Sequence, residues 1–181
     1  MSSFLYKILV MGSRDFEGPE HIDFLRKQML ASFFSALSKD ESAAVQFVFP
    51  AELGRDRILR PVRGVSRVAF KILDSASRAG RSHARLRPSE LSEIDWDIVE
   101  FTYSKSSPMS LEEQRKVPAN LIWNREVLAT EDISEVLIVE HDGAEFWCRD
   151  MMRRAKEEGL TVKQFSTRSW TPGAAREVVA R

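Results

Sequence analysis

Cysteine is all but missing from this chain: 181 residues hold one, Cys148. A single thiol excludes an internal disulfide and any zinc site built from several cysteines. The three histidines, His21, His83 and His141, show no metal-ligand spacing, so no metal and no cofactor are expected. Net charge is also missing, since 27 basic residues balance 27 acidic ones. No global field then draws the chain to nucleic acid or membrane, and any electrostatic function must come from local clustering. No apolar run approaches the roughly 20 residues that cross a bilayer, and the first residues lack the basic start and apolar core of a signal peptide. A cytoplasmic protein without membrane contact is the expectation. Internal repeats and low-complexity tracts are absent too. What is present is ordinary for a soluble globular protein, 43% apolar and 30% charged residues in a length that suits one domain with a full core.

The most informative stretch is residues 7–18, where the apolar run Ile8-Leu9-Val10-Met11 stops at Gly12 and a polar loop follows. Pro19 then opens an amphipathic helix over residues 19–38, with Ile22, Leu25, Met29, Phe33 and Leu37 on one stripe. A second strand over residues 45–49 is expected to end at Pro50, before an irregular charged connection over residues 51–61. Val65, Val68, Ala69, Ile72, Leu73 and Ala76 carry the clearest helical period, with Gly80 as the expected stop. Residues 97–103 read as a third strand and residues 104–116 as a polar inserted loop, and Pro118 suits the first position of a helix lasting to Thr130. Val136-Leu137-Ile138-Val139 is the kind of run found in a parallel strand covered on both faces. A helix to about Glu158 leads through Gly159 to a last strand over residues 161–165, and residues 166–181 form a C-terminal extension.

Strands alternating with helices imply an α/β fold: a Rossmann-like three-layer sandwich, with a mainly parallel sheet of about five strands and helices on both faces. One domain over residues 1–165 is expected. Ligands in such folds collect at the carboxyl ends of the strands, so the residues just beyond each strand matter most. After the first come Gly12, Ser13, Arg14 and Asp15: a glycine for close backbone approach, two donors for phosphate or ribose oxygens, and an acceptor for a ribose hydroxyl. The same four residues also make an ordinary turn between strand and helix. From Glu52 to Arg87 ten basic residues stand against three acidic ones, and Arg60, Arg63 and Arg67 crowd the start of the second helix. Each cation there is unfavourable by roughly 0.3–1 kcal/mol unless an anion binds or an acidic neighbour pairs with it. Asn124 shares a stripe with Leu121 and Leu128, so it faces the sheet and needs partners, from the protein or from a ligand. Arg125 and Glu126 follow it. Asp142 and Glu145 have the spacing of a capping box, while Asp142 and Gly143 also stand at a central strand end. Cys148 shares a face with Met151, Met152 and Ala155 and reads as core.

Three segments together resemble the SLOG superfamily, named after the DNA-processing protein DprA (SMF) and the LOG phosphoribohydrolases, and within it the YspA-like Rossmann-type domains. They are residues 8–16 with Gly12-Ser13-Arg14-Asp15, residues 123–128 with Trp123-Asn124-Arg125-Glu126, and residues 136–143 with the strand running into Asp142-Gly143, followed by residues 155–162. The resemblance spans about half the chain. It implies a nucleotide-like ligand above the sheet, contacted by Gly12, Ser13, Arg14, Asp15, Asn124, Arg125, Asp142 and Gly143, with Arg63 and Gly64 standing where the family places a glycine-rich phosphate run. Here that run reads Pro61-Val62-Arg63-Gly64-Val65, whose branched side chains obstruct a backbone cradle. The Pro-Gly-Gly-x-Gly-Thr motif of the LOG enzymes is absent, and Phe146 and Trp147 fill a position often left open.

Three functions follow as expectations. The first is a sensor or sequestering protein for a nucleotide or nucleotide-derived ligand. The second is an interaction module that has kept the fold and lost the pocket, binding protein or, through the basic segment 52–87, nucleic acid. The third is a nucleotide N-glycosidic bond hydrolase using Asp15, Glu126 or Glu145, for which the sequence offers no pair of carboxylates at diagnostic spacing. Self-association into a homo-oligomer is compatible with each.

Overall fold

A computed structural model of the chain describes residues 5–16, 18–39, 44–53, 56–82, 95–100, 119–141, 143 and 145–169. In chain order the elements are β1 (Leu5–Gly12), α1 (Pro19–Lys39), β2 (Ala44–Leu53), β3 (Leu59–Pro61), α2 (Val65–Ser82) and β4 (Asp95–Glu100). Then come α3 (Ala119–Thr130), β5 (Ile133–Glu140), α4 (Phe146–Glu157), β6 (Thr161–Ser166) and a single 3-10 turn, Thr167–Ser169. Five strands pair in parallel in the order β4-β2-β1-β5-β6, and the short β3 runs antiparallel to the end of β2. The expected α/β sandwich with a mainly parallel sheet is what the chain forms.

The two-residue period of the strands divides the core. Ile8 and Val10 of β1 face α1 and α2 with Phe47, Phe49, Leu137 and Val139, where Leu25, Met29, Val65 and Leu73 meet them. Leu9 and Met11 face the other layer with Val48, Val136 and Ile138, against Trp123 and Val127 of α3 and Trp147, Cys148 and Met151 of α4. Each large side chain so buried is worth about 1.5–3 kcal/mol of transfer free energy. Among the described residues, no helix is long and apolar enough to cross a membrane.

Two expectations about β2 need correction. Pro50 does not end the strand, which continues to Leu53. Its carbonyl accepts from Val62 N–H at 2.9 Å, on the edge that β1 leaves after Val48, so the proline's missing N–H costs no ladder bond there. Residues 51–61 are likewise not an irregular connection, because Ala51, Glu52 and Leu53 pair with Pro61, Arg60 and Leu59 as a hairpin. Ala51 also pairs with Glu100 of β4, so β3 and β4 lie on opposite edges of β2. β3 therefore overhangs the carboxyl end of β1. Gly80 does not stop α2, which runs to Ser82. The expected loop over residues 104–116, Pro118 and most of the C-terminal extension fall outside the described residues.

At the amino ends of the strands a buried charge is held by its neighbours. Glu135 is fully buried, with Lys163 Nζ 3.0 Å from Oε1 and the Tyr6 hydroxyl donating to Oε2 at 3.3 Å. Lys163 also donates to Ser32 Oγ at 3.2 Å, and Lys39 donates to the Tyr6 oxygen at 3.1 Å. The Tyr6 contact holds the Lys39 ammonium above its usual pKa.

Candidate functional site

β1 is the strand at which the order of the sheet reverses, with β2 on one side and β5 on the other, and three of the expected loops meet at its carboxyl end. Ser13 N–H donates to Val139 O at 3.0 Å, and His141 N–H donates to Ser13 Oγ at 2.8 Å. The Ser13 hydroxyl lies 3.2 Å from His141 O and 3.4 Å from Gly143 O. Ser13 is completely buried, and its side chain joins the end of β1 to the loop after β5.

The glycines of the site answer to contacts between chain segments. A Cβ on Gly12 would lie 1.9 Å from Val139 O and 2.6 Å from a Val65 methyl. At Gly64, φ is +86° and a Cβ would lie 2.0 Å from Ser13 O. Gly143 differs: φ is +124° with open space around it, so conformation alone favours glycine. Beside Gly64 the first turn of α2 is engaged by the chain, with Val65 N–H donating to Ser13 O at 3.2 Å and Arg67 N–H to Val62 O at 3.1 Å. Val62 and Val65 are 1% and 0% exposed, and fill the space a backbone cradle would need. Ser66, also buried, donates to Val10 O at 3.2 Å.

Glu145 corrects the capping-box expectation. α4 starts at Phe146, which makes Glu145 itself the N-cap, and its side chain makes no cap bond. One carboxylate oxygen accepts from Arg14 N–H, and the other accepts from the Trp147 indole N–H at 2.8 Å. The Arg14 guanidinium lies over the Trp147 ring, 5.7 Å from its centroid, and the Arg14 residue is exposed. With both oxygens engaged, Glu145 is positioned as a brace. Asp142 lies outside the described residues.

Asn124 is fully buried, and its amide nitrogen donates to Trp147 O at 2.8 Å and to Asp150 Oδ2 at 3.1 Å. It joins α3 to α4. Its amide oxygen has no hydrogen-bond partner among the described residues. Arg125 and Glu126 are half-buried. Among the described residues, no hydrogen bond or ion pair ties the Glu126 side chain to the Gly12, Gly64 or His141 loops, and its Oε1 is buried without a partner. Asp15 and Arg63 are exposed at the carboxyl edge.

Sequence reasoning missed a ring cluster on the same edge. Phe16, His21 of the first turn of α1, and His141 pack together, with centroids 5.1 Å apart for Phe16–His21 and 4.8 Å for His21–His141. His141 Nδ1 lies 2.8 Å from Thr167 Oγ1, just past β6. The signal that could have found His141 and Thr167 was their place immediately after a strand. Among the described residues no three metal-ligating side chains gather. Cys148 is buried, and desolvation together with Glu145 and Glu140 pushes its thiol far up, which leaves it inert.

Asp150 gives the region a pH dependence. Burial acts to raise its pKa, but hydrogen bonds from Arg154, Asn124 and Arg153 outweigh that and hold the carboxyl below its ordinary value. A depressed folded pKa means stability that is complete above the unfolded value of about 3.9 and is lost as pH falls through the folded one. Asp150→Asn is therefore expected to be less stable than the parent at about pH 7, with the gap closing below about pH 4. Urea titrations at both ends of that range test this, and a constant gap would refute it.

What the edge offers a ligand is a set of exposed side chains, Arg14, Asp15, Arg63 and Phe146, around a tightly packed backbone floor. A search of protein-family models finds no match to this chain, and neither do searches of curated proteins and of solved structures.

Proposed function

We propose that the chain is a divergent SLOG-type domain that binds a nucleotide or nucleotide-derived ligand at the carboxyl edge of its sheet, as a sensor or sequestering protein. The observation that carries this reading is the meeting of the Gly12–Arg14, Arg63–Gly64 and His141–Gly143 loops at the strand where the sheet order reverses. With Val65 N–H and Arg67 N–H of the first turn of α2 taken by the chain itself, recognition falls mainly to side chains, Arg14 and Arg63 foremost. A hydrolytic role draws less support from Glu145, whose carboxylate already accepts two hydrogen bonds.

Isothermal titration with nucleoside mono- and diphosphates, cyclic nucleotides and ADP-ribose is expected to show saturable binding to at least one. Arg14→Ala should weaken it about tenfold or more, the worth of one charge-assisted contact. Silence across the panel would refute the proposal. A second reading, a nucleic-acid interaction module, is favoured by one observation: the overhanging hairpin and the turn after it present Arg57, Arg60 and Arg63 exposed, with Arg60 paired to Asp56. Salt-dependent binding of a single-stranded oligonucleotide without binding of any mononucleotide would decide for it.

A further inference from the structure

We infer that Arg14 and Phe146 form a shelf on which a nucleobase stacks, an inference that rests on the ligand reading above and names the part of the ligand this edge takes.

Phe146 is the first residue of α4 and is 64% exposed, the most exposed of the large apolar side chains among the described residues. A lone exposed apolar residue means little by itself. The neighbours of this one give it meaning. Trp147, the next residue, is 2% exposed and carries the Arg14 guanidinium over its ring. A guanidinium is a flat, weakly hydrated cation that stacks on aromatic rings, and this one is exposed beside the indole. Glu145, on the other side of Phe146, bonds both the Trp147 indole and the Arg14 backbone, so the ring under Arg14 and the base of its side chain are pinned before any ligand arrives. Three residues before Phe146, Gly143 is exposed, and among the described residues nothing lies within 4 Å of where its Cβ would stand. The edge thus combines a planar cation whose backbone is held and an exposed aromatic ring. That combination suits a flat aromatic ring attached to a phosphate, and two backbone donors of the first turn of α2, Val65 N–H and Arg67 N–H, are already taken by the chain itself.

The base could belong to a free nucleotide or to a nucleic-acid strand, and the test separates these sources. Binding of adenosine 5′-monophosphate, ribose 5-phosphate, a single-stranded oligothymidylate and its abasic counterpart is followed by titration calorimetry. The parent is compared with Phe146→Ala, Phe146→Tyr and Arg14→Lys, each checked for folding by thermal melting. Phe146→Ala and Arg14→Lys, which keeps the charge and loses the plane, should each weaken the base-containing probe about tenfold. Phe146→Tyr should stay near the parent, and the base-free probes should not distinguish parent from Phe146→Ala. Binding of the mononucleotide identifies a free nucleotide as the source, and binding of the oligothymidylate alone identifies a strand. Base-containing probes that bind the parent and all variants alike would overturn the shelf and leave the ligand reading standing. Equal losses for base-containing and base-free probes would also overturn it. If the parent binds neither base-containing probe, the shelf falls, and the ligand reading falls with it only when the whole nucleotide panel above is silent as well.

Discussion

A Gly64→Ala chain is expected to lose about 3 kcal/mol or more of unfolding free energy, without any ligand present. Two costs add there. An L-residue forced into the left-handed region costs roughly 1–2 kcal/mol, and Gly64 has φ +86°. The new methyl would also stand 2.0 Å from Ser13 O and 2.6 Å from Arg14 Cα, atoms of a backbone that cannot yield freely. Ser13 is fixed by bonds to Val139 and His141, so relief must disturb the junction of β1 with β5. Urea or guanidinium unfolding measures the loss. A value under about 1 kcal/mol would mean that the two loops do not touch, and the candidate site would lose its geometry. The experiment also separates two reasons for a glycine, since one kept only for a ligand would tolerate alanine in the unliganded protein.

Lys163→Met is expected to cost about 3 kcal/mol, because it leaves the fully buried Glu135 carboxylate with Tyr6 as its remaining partner from that cluster. Lys163 itself is a quarter exposed, so the reverse change leaves a cation that can turn to water. Glu135→Gln should therefore cost less than Lys163→Met. The double variant should recover most of the loss, since a neutral amide needs no counter-charge. Chemical denaturation of the four chains closes the cycle. Additive losses in the double variant would show that the two groups do not interact, and would remove the buried pair from the account of stability.

These two positions show what can be read in a sequence and what cannot. The apolar runs of β1 and β5, the period of α2, Pro19 at the start of α1 and the glycines at the strand ends are local signals, and the α/β fold follows from their alternation. Gly12, Gly64 and Gly143 lie in loops that the fold brings together, although only contacts across the chain reveal that Gly12 and Gly64 serve close approach of backbone to backbone. Pro50 misled because its tolerance depends on where β1 stops pairing, a fact about another strand. Glu145 fits a capping box by spacing, yet the start of α4 is shifted and the carboxylate turns to Arg14, 131 positions earlier. Ser13, His21, His141 and Thr167 acquire their roles from neighbours more than a hundred residues away or on other elements, and local pattern carries no trace of such pairings.

The Ser13 hydroxyl has a kinetic consequence. Because it ties the end of β1 to the loop after β5, the floor of the edge is assembled in the free protein. A small molecule arriving there would meet loops that need little reordering, so the entropy lost on association would come mainly from the visitor and from the long arginine side chains. Capture would then be governed by diffusion and orientation, and differences in affinity between related molecules would be expressed in how slowly they leave.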